Sequence, residues 1–175
     1  MQFARMGEIY SRLIQGVERP RVALLVNGTE PHKGNNVSRA AYAVLQESDL
    51  NFIGNLEGRD ILSGGYDVLV CDGLSGNVAI KSVEGAMQAM MKLIKQELTA
   101  TPKLALGAAL VRGGFDKVKA RFDYEEYGGA PLLGVKGVSI VCHGSSGPRA
   151  IFQALELAAS CFDSGLVESL TRELA

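Results

Sequence analysis

The sequence predicts an α/β fold, a single domain on a mostly parallel sheet with helices on both faces, and three observations predict it. Short apolar runs alternate with segments of helical periodicity along the whole chain. Those runs are continuously apolar and bounded by Gly, Asp or Pro, which suits parallel strands buried on both faces better than an alternating hairpin. Finally, many of the 21 glycines cluster between the periodic segments, where a chain must turn tightly or approach a ligand closely.

Phe3, Met6, Tyr10, Leu13 and Ile14 recur at helical spacing, and Pro20 then precedes the strand run Val22 to Val26. After the loop 27–35, Val37, Ala40, Ala41, Val44 and Leu45 define the apolar face of a second helix. Asn51 to Gly54 and Asp67 to Cys71 read as further strands. From Gly76 to Leu98 the residues Val83, Met87, Met90, Met91, Ile94 and Leu98 fit one long helix whose Met stripe reads as packing. Val135 to Val141 reads as a final strand. Pro148 opens a last helix carrying Ile151, Phe152, Leu155, Ala158, Phe162 and Leu166.

With 175 residues, 47% of them hydrophobic, the chain is long enough to bury a substantial core. No run of eighteen apolar residues occurs and the opening MQFARMGEIYSRLI is amphipathic, so neither a membrane span nor a signal peptide is expected, and the expected location is cytoplasmic. Cys71, Cys142 and Cys161 form neither an even disulfide set nor a CxxC pair and read as reduced core residues. A net charge of −1 argues against nucleic acid as a partner of the chain as a whole.

Three strands run into similar loops that each lead into a helix: VNGTEPHKGNN after Val26, CDGLSGN around Asp72 and CHGSSGP around His143. A helix N-terminus offers free N–H donors and a partial positive charge, so three such turns on one edge suit phosphate or another oxyanion. None matches a P-loop or GxGxxG fingerprint, and glycine-rich turns also serve purely structural ends in α/β folds. His143, at a strand end before GSSG, has the position to donate to an oxyanion or relay a proton, or else to hydrogen-bond its own loop. His32 reads as solvated. Lys33 with Asn35 and Asn36 could hold a phosphate, although capping alone explains the asparagines. Asp72 and Asn77 flank a turn in which Asp72 could orient a partner or simply turn the chain. Among Asn55, Glu57, Arg59 and Asp60, Arg59 could clamp an anion or pair with a neighbouring carboxylate. No GxSxG, H-E-x-x-H or close pair of His or Cys supports a serine hydrolase or zinc enzyme, and Cys142 beside His143 points to the opposite strand face.

Between Lys92 and Arg121, Lys92, Lys95, Lys103, Arg112, Lys117, Lys119 and Arg121 face only Glu97 and Asp116, a local charge of +5. Leu104, Leu106, Leu110, Val111 and Phe115 add apolar bulk. The pattern suits a basic, amphipathic helical hairpin at about 92–121, open to an acidic protein or lipid surface, to packing on a second subunit, or to plain solvation.

Taken together, NGTEPHKGN, NFIGNLEGRDIL, DVLVCDGLSGNVAIKSVEG, FDYEEYGGAPLLGVKG and CHGSSG, in this order, resemble the C-terminal half of the PlsX phosphate acyltransferase family over nearly the whole chain. The resemblance implies a three-layer fold related to isocitrate-type dehydrogenases and phosphotransacetylases, with a protruding hairpin. It implies a homodimer, no metal or organic cofactor, and peripheral association with the inner face of the membrane. The implied reaction moves a fatty-acyl group from acyl carrier protein to inorganic phosphate and yields acyl phosphate for phospholipid synthesis. By position, His143, Asp72, Asn77 and Lys81 correspond to candidate catalytic residues. Asn27, Lys33, Gly34, Asn35, Asn55, Glu57, Arg59, Gly73, Gly76, Gly144, Ser145 and Ser146 correspond to phosphate or substrate binding. Lys103, Leu106, Leu110, Arg112, Lys117, Lys119 and Arg121 correspond to carrier or membrane contacts. Tyr124 and Tyr127 fall in a segment like the family's cleft wall. The family's N-terminal half carries further glycine-rich loops facing the same cleft, and a chain without it is expected to expose a sheet edge and an apolar face. A binding module without turnover and an acyl-CoA enzyme of phosphotransacetylase type are the competing readings; a dehydrogenase lacks its dinucleotide fingerprint.

Overall fold

The computed structural model describes residues 1–120 and 126–174, and of residues 116, 119 and 120 the backbone only. Arg121 and Tyr124 therefore lie outside the described residues, as does the side chain of Lys119. The chain runs α1 (Gln2–Ile14), β1 (Val22–Leu25), α2 (Asn36–Gln46), β2 (Phe52–Leu56), a 3-10 turn (Gly58–Asp60), β3 (Val68–Val70), α3 (Gly73–Thr99) and α4 (Pro102–Ala120). It continues with β4 (Ala130–Pro131), β5 (Ile140–Val141), α5 (Pro148–Asp163) and α6 (Leu166–Leu174). The class is α/β, and β2, β1 and β3 form a parallel sheet in that order.

β1 is the central strand, and Val22, Ala23 and Leu24 are buried as the continuous apolar run requires. Burial on both faces does not extend to its neighbours: β2 and β3 are largely half-buried, because each is an edge strand with β1 on one side only. Ala4 of α1 and Leu45 of α2 join Val22, Leu24, Val26 and Leu50 in one cluster, with Tyr42 edge-on to Phe52 at 5.2 Å between ring centres. A second cluster unites Ile9 of α1 with Cys161 of α5 and Leu166 and Leu170 of α6. The amphipathic opening helix thus serves both clusters, Ala4 in one and Ile9 in the other. The Arg21 guanidinium meets the Asp67 carboxylate through two bonds of 2.9 Å, and the Arg21 N–H adds a third at 2.7 Å. That fork ties the amino ends of β1 and β3 together.

Five expectations are corrected. The strand read over Val135–Val141 shrinks to β5, Ile140–Val141, which pairs antiparallel with the unforeseen β4 and stands apart from the parallel sheet. Gly134, at φ +82°, and Gly137 turn the chain before it can extend. The last helix does not run through Leu166: it stops at Asp163, and Gly165 at φ +64° supplies the left-handed residue that ends it and lets α6 begin. Of the cysteines, all free, only Cys161 is in the core; Cys71 and Cys142 are half-buried. The long helix α3 starts at Gly73 rather than Gly76 and buries none of its residues, and its contacts include α4, two residues further on. Met87 and Met91 are half-buried and Met90 is exposed, so the Met stripe is packed only in part.

Candidate functional site

In a parallel sheet the carboxyl ends of all strands share one edge, and the turns after β1, β2 and β3 accordingly leave from the same side. After β1, Asn27 is exposed and the Lys33 N–H donates to the Glu30 carbonyl at 3.0 Å. The Lys33 stem folds against Gly28, where an added Cβ would lie 2.7 Å from the Lys33 Cγ, while the side chain as a whole remains exposed. Gly34 turns at φ +88° into α2, hard against Ser38 and Val26, so only glycine fits there. Asn35 caps α2: its Oδ1 accepts the Ser38 N–H at 2.9 Å. Arg39 donates to the Gly34 carbonyl at 3.0 Å and to Asn36 Oδ1 at 2.5 Å. The loop is also held from the sheet, since Asn55 on β2 is buried and donates through Nδ2 to the Glu30 carbonyl at 2.9 Å. Its Oδ1 is buried and has no hydrogen-bond partner among the described residues. A buried acceptor left open in this way costs stability unless a donor from solvent or substrate meets it.

After β2, Glu57 and Asp60 cap each other reciprocally around the 3-10 turn, with Asp60 Oδ2 accepting the Glu57 N–H at 3.1 Å. The Arg59 guanidinium pairs with the Glu57 carboxylate and is otherwise exposed. Pairing with a neighbour, one of its two readings from sequence, is thus realised.

After β3, Asp72 caps α3, accepting the Ser75 N–H at 2.8 Å and the Ser75 hydroxyl at 2.7 Å. Those bonds favour the carboxylate and hold the Asp72 carboxyl below its ordinary range. Gly73 is open, and Gly76 lies against the Cys71 sulfur, where a Cβ would sit 2.6 Å from Sγ. Burial, and then the charge of Asp72, pushes the Cys71 thiol up, away from the thiolate a nucleophile needs. Asn77 is exposed one turn into the helix, and Lys81 pairs with Glu84 at 2.8 Å.

The fourth loop follows β5. The Ser145 N–H donates to His143 Nδ1 at 3.2 Å and the Ser145 hydroxyl lies 2.6 Å from the same nitrogen. An Nδ1 that accepts from a backbone amide assigns the ring proton of the neutral imidazole to Nε2. The Ser146 N–H donates to the His143 carbonyl at 3.0 Å, closing the turn, and the buried Ser146 hydroxyl has no partner among the described residues. Gly144 is exposed. Gly147 then caps α5 without a side-chain bond, so the N–H groups of the first turn are unclaimed by a side-chain cap. Because β5 belongs to a separate strand pair, the sheet itself brings together the first two turns and the CDGLSG turn, and the expectation of CHGSSG on that same edge does not follow from the strand order.

Lys92, Lys95, Lys103, Arg112 and Lys117 are exposed along α3 and α4, with Leu104, Leu106, Leu110 and Val111 exposed among them. Sequence reading missed Ser75, Arg39 and Glu30, although the spacing Asp-x-x-Ser at 72–75 is a legible cap signal. Among the described residues no three His, Cys, Asp or Glu side chains gather as a metal would require, and no single helix is long and apolar enough to cross a membrane.

The family model described as fatty acid synthesis protein matches residues 1–169. A phosphate acyltransferase of Desulfitobacterium hafniense is 49% identical over 175 residues, 99% of this chain and 52% of that protein. Those of Pelotomaculum thermopropionicum and Brevibacillus brevis are 45% identical over 170 residues (97% of this chain, 50% of theirs) and 50% identical over 155 (89% and 46%). The chain spans about half the length of the curated relatives it matches. With a family match across residues 1–169 and the five ordered glycine-rich motifs inside it, this chain belongs to the fatty acid synthesis protein family of the PlsX type.

Proposed function

We propose that this chain supplies half of the catalytic cleft of a phosphate acyltransferase that moves a fatty-acyl group from acyl carrier protein to inorganic phosphate. What carries the reading is the shared carboxyl edge of β1, β2 and β3, from which two helix N-termini and the turns bearing Lys33 and Arg59 leave, groups of the kind an oxyanion needs, in a chain whose relatives bear the name phosphate acyltransferase. In the reaction a phosphate oxygen attacks the thioester carbonyl carbon, a C–O bond forms and the carbonyl oxygen becomes an oxyanion. Collapse breaks the C–S bond, and the carrier leaves as a thiolate that then takes a proton. The protein's task is to hold two anionic partners in line and to meet the developing charge with donors. In this reading Lys33, the α2 N-terminus with Gly34 and Asn35, Asn55 and Arg59 hold phosphate. Asp72 fixes the opening of α3, so that Gly73, Gly76, Asn77 and Lys81 line the cleft. His143 offers Nε2–H to the oxyanion or the leaving sulfur, with Ser145 and Ser146 shaping its turn.

The exposed cations and leucines of α4, Lys103, Leu106, Leu110, Arg112 and Lys117, form the proposed hairpin surface for the acidic carrier and an anionic membrane at the inner face of the cell, and in sequence Lys119 and Arg121 extend its basic run. The completed protein is then a cytoplasmic, peripheral homodimer with a three-layer sheet and no cofactor. Donor competition tests this: with long-chain acyl carrier protein and acyl-CoA supplied together, thiol release should depend on phosphate and come from the carrier. Preference for a short acyl-CoA would support the phosphotransacetylase-type alternative, and binding without thiol release from either donor would support a silent binding module.

A further inference from the structure

Helix α5 is apolar on both sides. Inward it buries Ala150, Ala154 and Cys161; outward it presents Ile151, Phe152, Leu155 and Phe162, exposed by 45, 59, 65 and 76%. Its polar residues, Arg149, Gln153, Glu156, Ser160 and Asp163, keep to one stripe along the helix, and Ile151, Phe152, Leu155 and Phe162 lie outside it as an apolar surface wider than the inward face buries. The strand pair beside it points the same way. β4 and β5 pair over two residues each, apart from the parallel sheet, and a ladder that short needs further strands or a covering layer to persist. Val141 is 58% exposed on it.

We propose that the outward face of α5 and the open side of the β4–β5 pair form the docking surface for the remainder of the family chain. Length selects this occupant: the 175 residues correspond to 52% of the Desulfitobacterium protein, so in that relative a segment of nearly equal size accompanies the part matched here. A second copy fits less well. Large apolar side chains are exposed on α2, α3, α4 and α5 alike, more directions than one two-fold contact covers. The consequence reaches the candidate site, because β5 leads directly into His143 and α5 leads out of the same turn. Docking on both would fix the turn at each end.

The test places a cysteine at Leu155, by Leu155→Cys, in the 175-residue chain and in a single polypeptide joining that chain to the remainder of the Desulfitobacterium protein. Maleimide modification of the peptide carrying residue 155 is followed by mass spectrometry, which separates it from the native cysteines. Glu18→Cys, in an exposed polar loop, is the control. The proposal expects residue 155 to react about tenfold or more slowly in the joined, folded polypeptide, as a residue that must await local opening does, with residue 18 unchanged. Equal rates at 155 would overturn it. So would slow reaction in the 175-residue chain alone wherever sedimentation shows it dimeric, because the second copy would then be the occupant. Should the joined polypeptide not fold, the cysteine goes to the aligned position of the full-length Desulfitobacterium protein, where fast reaction would overturn the proposal equally.

Discussion

His143 and Asp67 show two ways in which one side chain carries weight. The Ser145 N–H fixes the His143 tautomer, so the ring presents a donor at Nε2. His143→Ala, in the polypeptide completed to the relatives' length, should lower acyl phosphate formation by about 100-fold with unchanged circular dichroism, the usual scale of one lost acid or oxyanion donor. Unchanged turnover would remove His143 from the mechanism. The Arg21 guanidinium, followed by the Arg21 N–H, holds the Asp67 carboxyl at about 2, below its ordinary 3.8. A depressed carboxyl stabilises the fold above its unfolded value and loses that contribution as pH falls toward the folded one. Asp67→Asn should therefore cost about 1–2 kcal/mol in urea unfolding at pH 7 and progressively less between pH 4 and 2. A deficit independent of pH would contradict the ion pair. Residue types at strand ends were legible in the sequence, and so was the cap Asn35 as one of two readings, whereas Asp72 was read as a turn or partner-orienting residue and its capping of α3 through Ser75 came only from the structure. The burial of Asn55 was not, because it depends on the Glu30 carbonyl 25 residues away.

At the scale of elements, local chemistry decided most of the outcome. Helices with strong apolar periodicity and the continuous runs of β1, β2 and β3 were readable within a few residues. The runs that failed were those interrupted by glycine: Gly134 and Gly137 shorten the last strand, and Gly165 divides the last helix. The strand β4 was invisible in advance because its two residues acquire their pairing only from β5. Gly128 lies two residues before β4. At φ +73° it brings the chain onto α5, where an added Cβ would lie 2.7 Å from the Gln153 carbonyl carbon. Gly128→Ala should destabilise the protein by about 1–3 kcal/mol, through backbone strain and overpacking together. Gly64→Ala, at φ +70° with open space around it, should cost only the strain, about 1 kcal/mol. Equal midpoints for the two variants in thermal unfolding would refute the close approach.

Across the whole molecule, the sequence made the α/β class and the family evident but left the extent of uncovered surface to be read from the structure. The apolar residues of α5 have helical spacing whether they face a core or solvent, and periodicity cannot say which layer will cover them. The same holds for the basic stretch, where α3 and α4 expose cations and leucines together. Replacing Lys103 and Lys117 by Glu should weaken binding to anionic vesicles and to acyl carrier protein, each by about tenfold at low salt and less at high salt; binding unaltered to both would defeat that surface. Phosphate acyl transfer itself is tested most directly by incorporation of labelled phosphate into acyl phosphate from long-chain acyl carrier protein. The assay compares the 175-residue chain, the same chain joined to the remainder of a relative, and the joined chain without the acyl donor. Donor-dependent acyl phosphate from the joined chain, far above that from the 175 residues alone, is the predicted result. A folded joined chain that forms none would contradict the account.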